Sequence, residues 1–596
     1  MNFCSEPTAS FLRVSVPAML LLLASGTLCA QSSPASITPS TTPQAIKKAS
    51  QLIVTLKPVF TSTAGTTDAV EVTVRVEQMN VGAGKPLLSL PTVISNVQTV
   101  AHGIESLTAT DADGPLVLTA HDQPATGSRV WSASRAVHGA VEWRYRAPIT
   151  NAPNPRGAAP PLELRSEDGA FSGQAGTFLL LPASDAGYLL NLHWDFAGLP
   201  SSAVGMSSLG VGDLHPNRAM QPEDIREIYF FGGTLHRFPE QPTAKGFFSA
   251  WQGNPPFDAK ALMVWTEQLY EYYFDFFHPE KVELYAVLMR RNLINPGGGV
   301  ELGNAFIGTF DKQADVAEFK ITLAHEMVHT FVRGLDSGME LDGSWYSEGL
   351  AVYYERLLPL RAGRITPNDF LNDLNSTAAR YYTNALQRTP NSEIAAQFWT
   401  ETRVRVLPYD RGALYFTLLD SQLRQASGGK RSLDTLVAAM LNRRRHGQPT
   451  DEPAWRALLL QELGKAGLDQ LDAMLRGDLI LPPSDAFGPC FRRTTKQLRR
   501  YELGFEAKVL TEPTRTVRGL ALGSNAAKAG LRNGDRIVHP VPQDAIQGDQ
   551  NALLHLEVER EGKRFSLSYL PRGESVEAYQ WERVSGVADT SCSLSY

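Results

Sequence analysis

Along residues 49–205, apolar and polar side chains alternate in short runs such as "QLIVTLKPVF", "AVEVTVRVEQ", "AVEWRYRAP" and "TFLLLPA". Clusters of Gly, Pro, Asn and Asp separate the runs. A period of two marks half-buried strands, and many short strands at this spacing predict an N-terminal β-sandwich. Over 206–480 the period lengthens. "KVELYAVLMR" and "VELGNAFIGTF" predict two strands joined by the Gly-rich turn "NPGGG". Helical spacing then predicts helices at about 315–334, 345–358 (ended by Pro359), 367–387 and 410–426. After the linker "LPPSDAFGP", a third unit spans 495–580 and a tail spans 581–596. The pattern is that of a multidomain α+β chain, without internal repeats.

Length and composition agree with this division. The chain has 596 residues, 43% of them hydrophobic and 20% charged, which suits several globular domains and excludes a disordered protein. A net charge of -6 argues against nucleic acid as a partner. Residues 1–30 read as an export signal, with Arg13 ahead of "VSVPAMLLLLASG" and small residues for cleavage near Ala30. The apolar run is shorter than the roughly 20 residues of a spanning helix, so no transmembrane anchor is expected in the mature chain. Cys29 offers a lipoprotein alternative, but Leu28 stands where a small residue is needed. Residues 31–48 form a Ser/Thr/Pro-rich flexible leader. The expected location is therefore periplasmic or secreted. Cys490 and Cys592 remain after cleavage, consistent with one disulfide or with two buried thiols.

The chemistry concentrates in "HEMVH", His325 to His329, within "DVAEFKITLAHEMVHTFVRGL". Asp315 and Glu318 suit a helix start, Phe319, Leu323, Val328 and Val332 recur at helical spacing, and Gly334 suits a stop. Residues four apart share a helix face, so His325 and His329 can reach one ion. A catalytic zinc takes three protein ligands and leaves one position open. Glu348, eighteen residues beyond His329 in "WYSEGLAVYYERLL", can complete the set from a second helix. One Zn²⁺ per chain is expected, with Glu326 placed as general base. Glu355, seven residues after Glu348, lies on the same face, where it either bonds a ligand or is solvated.

H-E-x-x-H, eighteen residues, then W-x-x-E-G resembles the gluzincin metallopeptidases, in particular the aminopeptidase N family and the related glycyl aminopeptidase family. "GGGVELGN" resembles the strand whose Glu grips a substrate's free amine in those families, and "PYDRGALYFTLLDSQLR" resembles a segment whose Tyr stabilises the transition state. The resemblance implies a thermolysin-like, mostly helical zinc peptidase domain, Glu301 on the substrate ammonium and Tyr409 on the developing oxyanion. A buried carboxylate suits an ammonium ion. Gly297, Gly298 and Gly299 would let a substrate strand approach the backbone. Leu302 departs from the Asn or His that follows the amine-binding Glu, and "TFVRGL" departs from the glycyl family's run after the second His.

"YELGFEAKVL", "VRGLALGSNAAKAGLRNGDRIV" and "LHLEVEREGKRFSLSYL" resemble a PDZ domain, with Leu503, Gly504 and Phe505 as its carboxylate loop. Such a module either binds a C-terminal peptide or only packs on the catalytic domain. The expectation is a zinc aminopeptidase acting on peptides with a free N-terminus, Gly or Ala among the candidate first residues. The alternatives are a zinc endopeptidase, or a non-catalytic PDZ-type peptide-binding protein with a structural metal.

Overall fold

A computed structural model describes residues 49–60, 67–95, 97–151, 160–292, 298–312, 314–336, 341–539, 541, 543–592 and 594. The expected signal and leader, 1–48, lie outside them, as does Gly297. Among the described residues the chain divides into two compact units, one within 49–151, 160–235 and 301–303, the other within 236–300 and 304–594.

The first unit is all but pure β. Its largest sheet has seven strands, in the order Ala219–Met220, Tyr188–Trp194, Ser50–Phe60, Thr67–Val81, Val137–Pro148, Glu105–Asp111 and Gly114–Pro115. Leu52, Val54 and Leu56 point to one face and are fully buried, the outcome of the period-two pattern. Five-, four- and two-stranded sheets complete the unit among the described residues. The core contains Trp143, Tyr145, Phe171 and Phe178. Ser50–Leu56 also pairs in parallel with Tyr188–Trp194. Alternation reports which face of a strand is buried but not its neighbour. Ala203–Ser207 pairs with Tyr229–Thr234 within one sheet of this unit.

The second unit opens with strands in the order His236–Phe238, Phe247–Trp251, Tyr285–Arg291 and Ala305–Phe310. Tyr285–Arg291 and Ala305–Phe310 pair in parallel, Ala286 opposite Ala305, so they are not the simple two-strand pair read from the sequence. "VELGNAFIGTF" is split at Leu302–Asn304, where Gly303 takes a positive φ of 60°. The histidine helix is Val316–Phe331, capped by the Asp315 carboxylate on the Ala317 amide. The glutamate helix, Ser344–Arg361, continues through Pro359 instead of ending there. A proline so near the C-terminus forfeits one intrahelical bond, and the Ala362 amide still reaches the Leu358 carbonyl at 2.8 Å. The arginine helix is Pro367–Tyr382, and the tyrosine helix is Leu407–Ser427, starting early enough to hold Tyr409 in its first turn.

The C-terminal region belongs to this second unit. A long ribbon, Phe491–Tyr501 against Arg572–Arg583, leads into a three-stranded sheet of Arg536–Ile537, Leu554–Arg560 and Lys563–Tyr569. This region keeps a small core of its own, including Tyr501, Val509, Ile537 and Leu556. It is bound to the arginine helix through Asn375, whose side chain donates to the Trp581 carbonyl and accepts the Trp581 amide. Cys490 and Cys592 form a disulfide with a Cα–Cα distance of 5.3 Å. Among the described residues, no helix is long and apolar enough to cross a membrane.

Candidate metal centre

The helical pitch brings His325 and His329 side by side, their Nε2 atoms 3.2 Å apart. Glu348 Oε2 lies 3.3 Å from His325 Nε2 and 3.4 Å from His329 Nε2. Tetrahedral zinc with bonds of about 2.0–2.1 Å holds its ligand atoms about 3.3–3.4 Å apart, so these three donors already outline one face of that tetrahedron. Among the described residues, they are the one His/Cys/Asp/Glu group close enough to hold an ion. Their side chains are 14%, 9% and 8% exposed, sheltered yet open on one side. Two imidazoles and one carboxylate fit zinc in both chemistry and spacing.

Charges around the site are strongly coupled. Burial alone would push the Glu348 carboxyl up, but His329 and His325 hold it well below the usual carboxylate range. His325 Nδ1 lies 2.6 Å from Glu355 Oε2. Donation from Nδ1 to Glu355 leaves Nε2 as the free lone pair facing the ion position. Glu355 Oε1 in turn accepts from Arg356 Nη2 at 3.2 Å, and Arg356 Nε reaches Asp373 Oδ2 at 2.5 Å. This chain of contacts runs from the glutamate helix to the arginine helix. Arg356 and Asp373 carried no signal in the sequence pattern, because their meaning depends on which helices pack together.

Glu326 follows His325 on the same helix. Burial pushes its carboxyl up, while the two imidazoles pull the other way. It makes no hydrogen bond among the described residues. Tyr409 stacks on the His325 ring, with centroids 6.0 Å apart and planes at 19°. Burial and then the Glu348 and Asp544 charges raise its phenol well above the ordinary range, so the hydroxyl stays protonated. That hydroxyl also has no hydrogen-bond partner among the described residues.

Glu301 is buried at the end of the Gly299–Glu301 strand, and Gly298 and Gly299 are half-buried. A Cβ on Gly299 would lie 2.2 Å from the Phe306 ring, so the chain itself requires glycine there. Leu503, Gly504 and Phe505 line a cavity of about 270 Å³ together with Thr402 and Arg403. Their three amides donate to nothing among the described residues. Gly504 has a φ of 82°, and a Cβ there would meet Ser524 at 2.8 Å.

Residues 319–414 match the M61 glycyl aminopeptidase family model. Among solved structures, the chain is similar to an aminopeptidase N family protein from Idiomarina loihiensis, at 16% identity and a TM-score of 0.61, covering 89% of this chain and 98% of that one. It is also similar to an M1 zinc metallopeptidase from Deinococcus radiodurans, at 15% identity and a TM-score of 0.42, covering 73% of this chain and 94% of that one. No curated protein sequence matches. The Idiomarina structure shows the shared fold. The family match covers the segment that carries His325, His329 and Glu348.

Proposed function

We propose that this chain, whose metal-site segment is of the glycyl aminopeptidase type, is an exported zinc aminopeptidase that removes N-terminal residues from peptides. The supporting observation is the triangle of donor atoms, 3.2 to 3.4 Å on each side, flanked by an unbonded carboxylate and an unbonded phenol. His325, His329 and Glu348 would hold a zinc ion, which would supply Lewis-acid polarisation of the scissile carbonyl and a more acidic water at neutral pH. Glu326 takes the proton from the attacking water and passes it to the leaving amine. The Tyr409 hydroxyl donates to the carbonyl oxygen as charge builds there. Glu301 holds the substrate ammonium, and the substrate backbone runs along Gly298–Glu301 as an added strand. Gly or Ala at the first position suits the family resemblance.

The C-terminal region acts in this reading as a PDZ-like module. Its free Leu503, Gly504 and Phe505 amides suit the carboxylate of a peptide's C-terminus. Export, to the periplasm or the medium, rests on the composition of residues 1–30.

Leu302 favours a second reading, an endopeptidase that ignores the free amine. Hydrolysis of a peptide and of its N-acetylated form, each with and without chelator, separates the two. The aminopeptidase cleaves only the free form and stops on chelation. Equal cleavage of both forms refutes the exopeptidase, and cleavage indifferent to chelator refutes the metal mechanism.

A further inference from the structure

Tyr409 packs against the hydrophobic core of this unit. Its ring leans on His325, and its hydroxyl is unbonded among the described residues. The residues on either side of it are gripped firmly, and both grips lead to one place. Asp410, the next residue, is fully buried. Arg380 of the arginine helix clasps it through Nε, 3.0 and 2.8 Å from the two carboxylate oxygens, and through Nη2 at 2.6 Å. The remaining Arg380 nitrogen, Nη1, donates to the backbone carbonyl of Asp544 at 3.2 Å. Arg405, one turn before Tyr409, donates from Nη2 to Asp544 Oδ1 at 2.8 Å. A single residue of the C-terminal region therefore reaches both flanks of the phenol-bearing turn, Arg405 directly and Asp410 through Arg380.

Asp544 is itself well anchored. It opens the short helix Asp544–Gly548, which packs on the arginine helix so closely that a Cβ on Gly548 would lie 2.5 Å from Ser376 Oγ. The preceding residue, Gln543, accepts from Thr402 Oγ1 at 3.1 Å and Tyr501 OH at 3.2 Å. Arg572 Nη2 ties the far end at the Asp549 carbonyl, 2.5 Å away.

We propose that Asp544 is a positioning residue for Tyr409, so that the C-terminal region completes the catalytic site by fixing the start of the tyrosine helix. The proposal rests on the reading that the Tyr409 hydroxyl serves the reaction. The Arg405–Asp544 pair is partly solvated, with side chains 24% and 46% exposed, so its worth to overall stability is small. Its worth to geometry is larger, because a hydrogen-bond donor aimed at a transition state loses its effect with a displacement of about 1 Å.

The test compares Asp544→Asn, which keeps the backbone carbonyl but removes the carboxylate charge, in the wild-type and Tyr409→Phe backgrounds. In the wild type, kcat is expected to fall about tenfold with KM changed less than about twofold, and in Tyr409→Phe the same substitution is expected to change nothing further. Asp544→Glu should recover most of the loss. Amide exchange over residues 402–415, followed by mass spectrometry on the zinc-loaded protein, should quicken in Asp544→Asn while metal content stays constant. Equal losses in both backgrounds, an inert Asp544→Asn, or unchanged exchange would overturn the proposal alone. Wild-type turnover in Tyr409→Phe would overturn the functional reading and this proposal with it.

Discussion

Gly349 and Gly412 meet backbone to backbone where the glutamate and tyrosine helices cross: a methyl group on either would lie 2.7 Å from the other's Cα. Each glycine is close in sequence to a residue of the site, Gly349 directly after Glu348 and Gly412 three residues after Tyr409. A Cβ on Gly412 would also press within 2.5 Å of the Trp345 carbonyl. The close crossing is what sets a metal-binding carboxylate and a phenol donor on neighbouring helices at a fixed separation.

Gly349→Ala and Gly412→Ala should therefore push the two helices apart. Overpacking of this kind costs about 1–3 kcal/mol. Zinc affinity should fall with it, because Glu348 moves off the triangle it forms with the histidines. Gly334→Ala is the control, since its Cβ would meet only Ser347 at an ordinary 3.7 Å. Denaturant unfolding and zinc titration read both effects, and a Gly412→Ala protein as stable as Gly334→Ala would contradict the packing argument.

Glu355 gives a second expectation. It accepts from His325 Nδ1 at 2.6 Å and so fixes which imidazole nitrogen faces the ion. Removing such a partner lowers metal affinity about 10- to 100-fold. Glu355→Ala should lose zinc to a competing chelator by that factor while its far-ultraviolet dichroism stays unchanged. Wild-type zinc affinity in this variant would mean that packing alone orients the ring.

The grouping of His325, His329 and Glu348 was legible in the sequence because its geometry is local: a four-residue step on one helix, and a carboxylate early on the next apolar helix. The helix cores followed from periodicity for the same reason. Strand partners did not, as the parallel pairing of Ser50–Leu56 with Tyr188–Trp194 illustrates, since a period of two says nothing about neighbours 130 or more residues away. Arg380, Arg405 and Asp544 escaped notice because each is an ordinary surface-type residue until three separate segments converge. The glycine after Glu348 was visible as a motif letter, but its physical reason lies across the helix crossing at Gly412.

Asp373 ends the contact chain that starts at His325, and it should make stability pH-dependent. Burial raises its carboxyl to about 6 from the ordinary 3.8, against the pull of Arg356. A folded value above the unfolded one means the folded protein binds the proton more tightly. The contribution is then complete below about pH 4 and lost as pH rises through about 6. A shift of about two units corresponds to about 3 kcal/mol at most. Relative to Asp373→Asn, the wild type should lose up to that much stability between about pH 4 and pH 7 in urea unfolding. A difference between the two proteins that stays constant with pH would rule the coupling out.

The disulfide should act on the glutamate helix at its C-terminal end. Cys490 and Cys592 are both fully buried and close a loop of 102 residues, for which the loop-entropy estimate is about 4–5 kcal/mol and typical measured values are about 2–4 kcal/mol. Two residues beyond Cys592, the Leu594 carbonyl accepts from Arg361 Nε at 3.0 Å, and Arg361 also holds Asp434 at 2.8 Å. Arg361 closes the glutamate helix thirteen residues after Glu348. Reduction should therefore free the tail and fray that last turn while leaving the metal triangle intact. Tm should fall by several degrees on adding reductant, zinc content should hold, and Cys592→Ser should start at the lower Tm and ignore reductant. A wild-type Tm insensitive to reduction would show that the tail contributes nothing to this fold beyond its own packing.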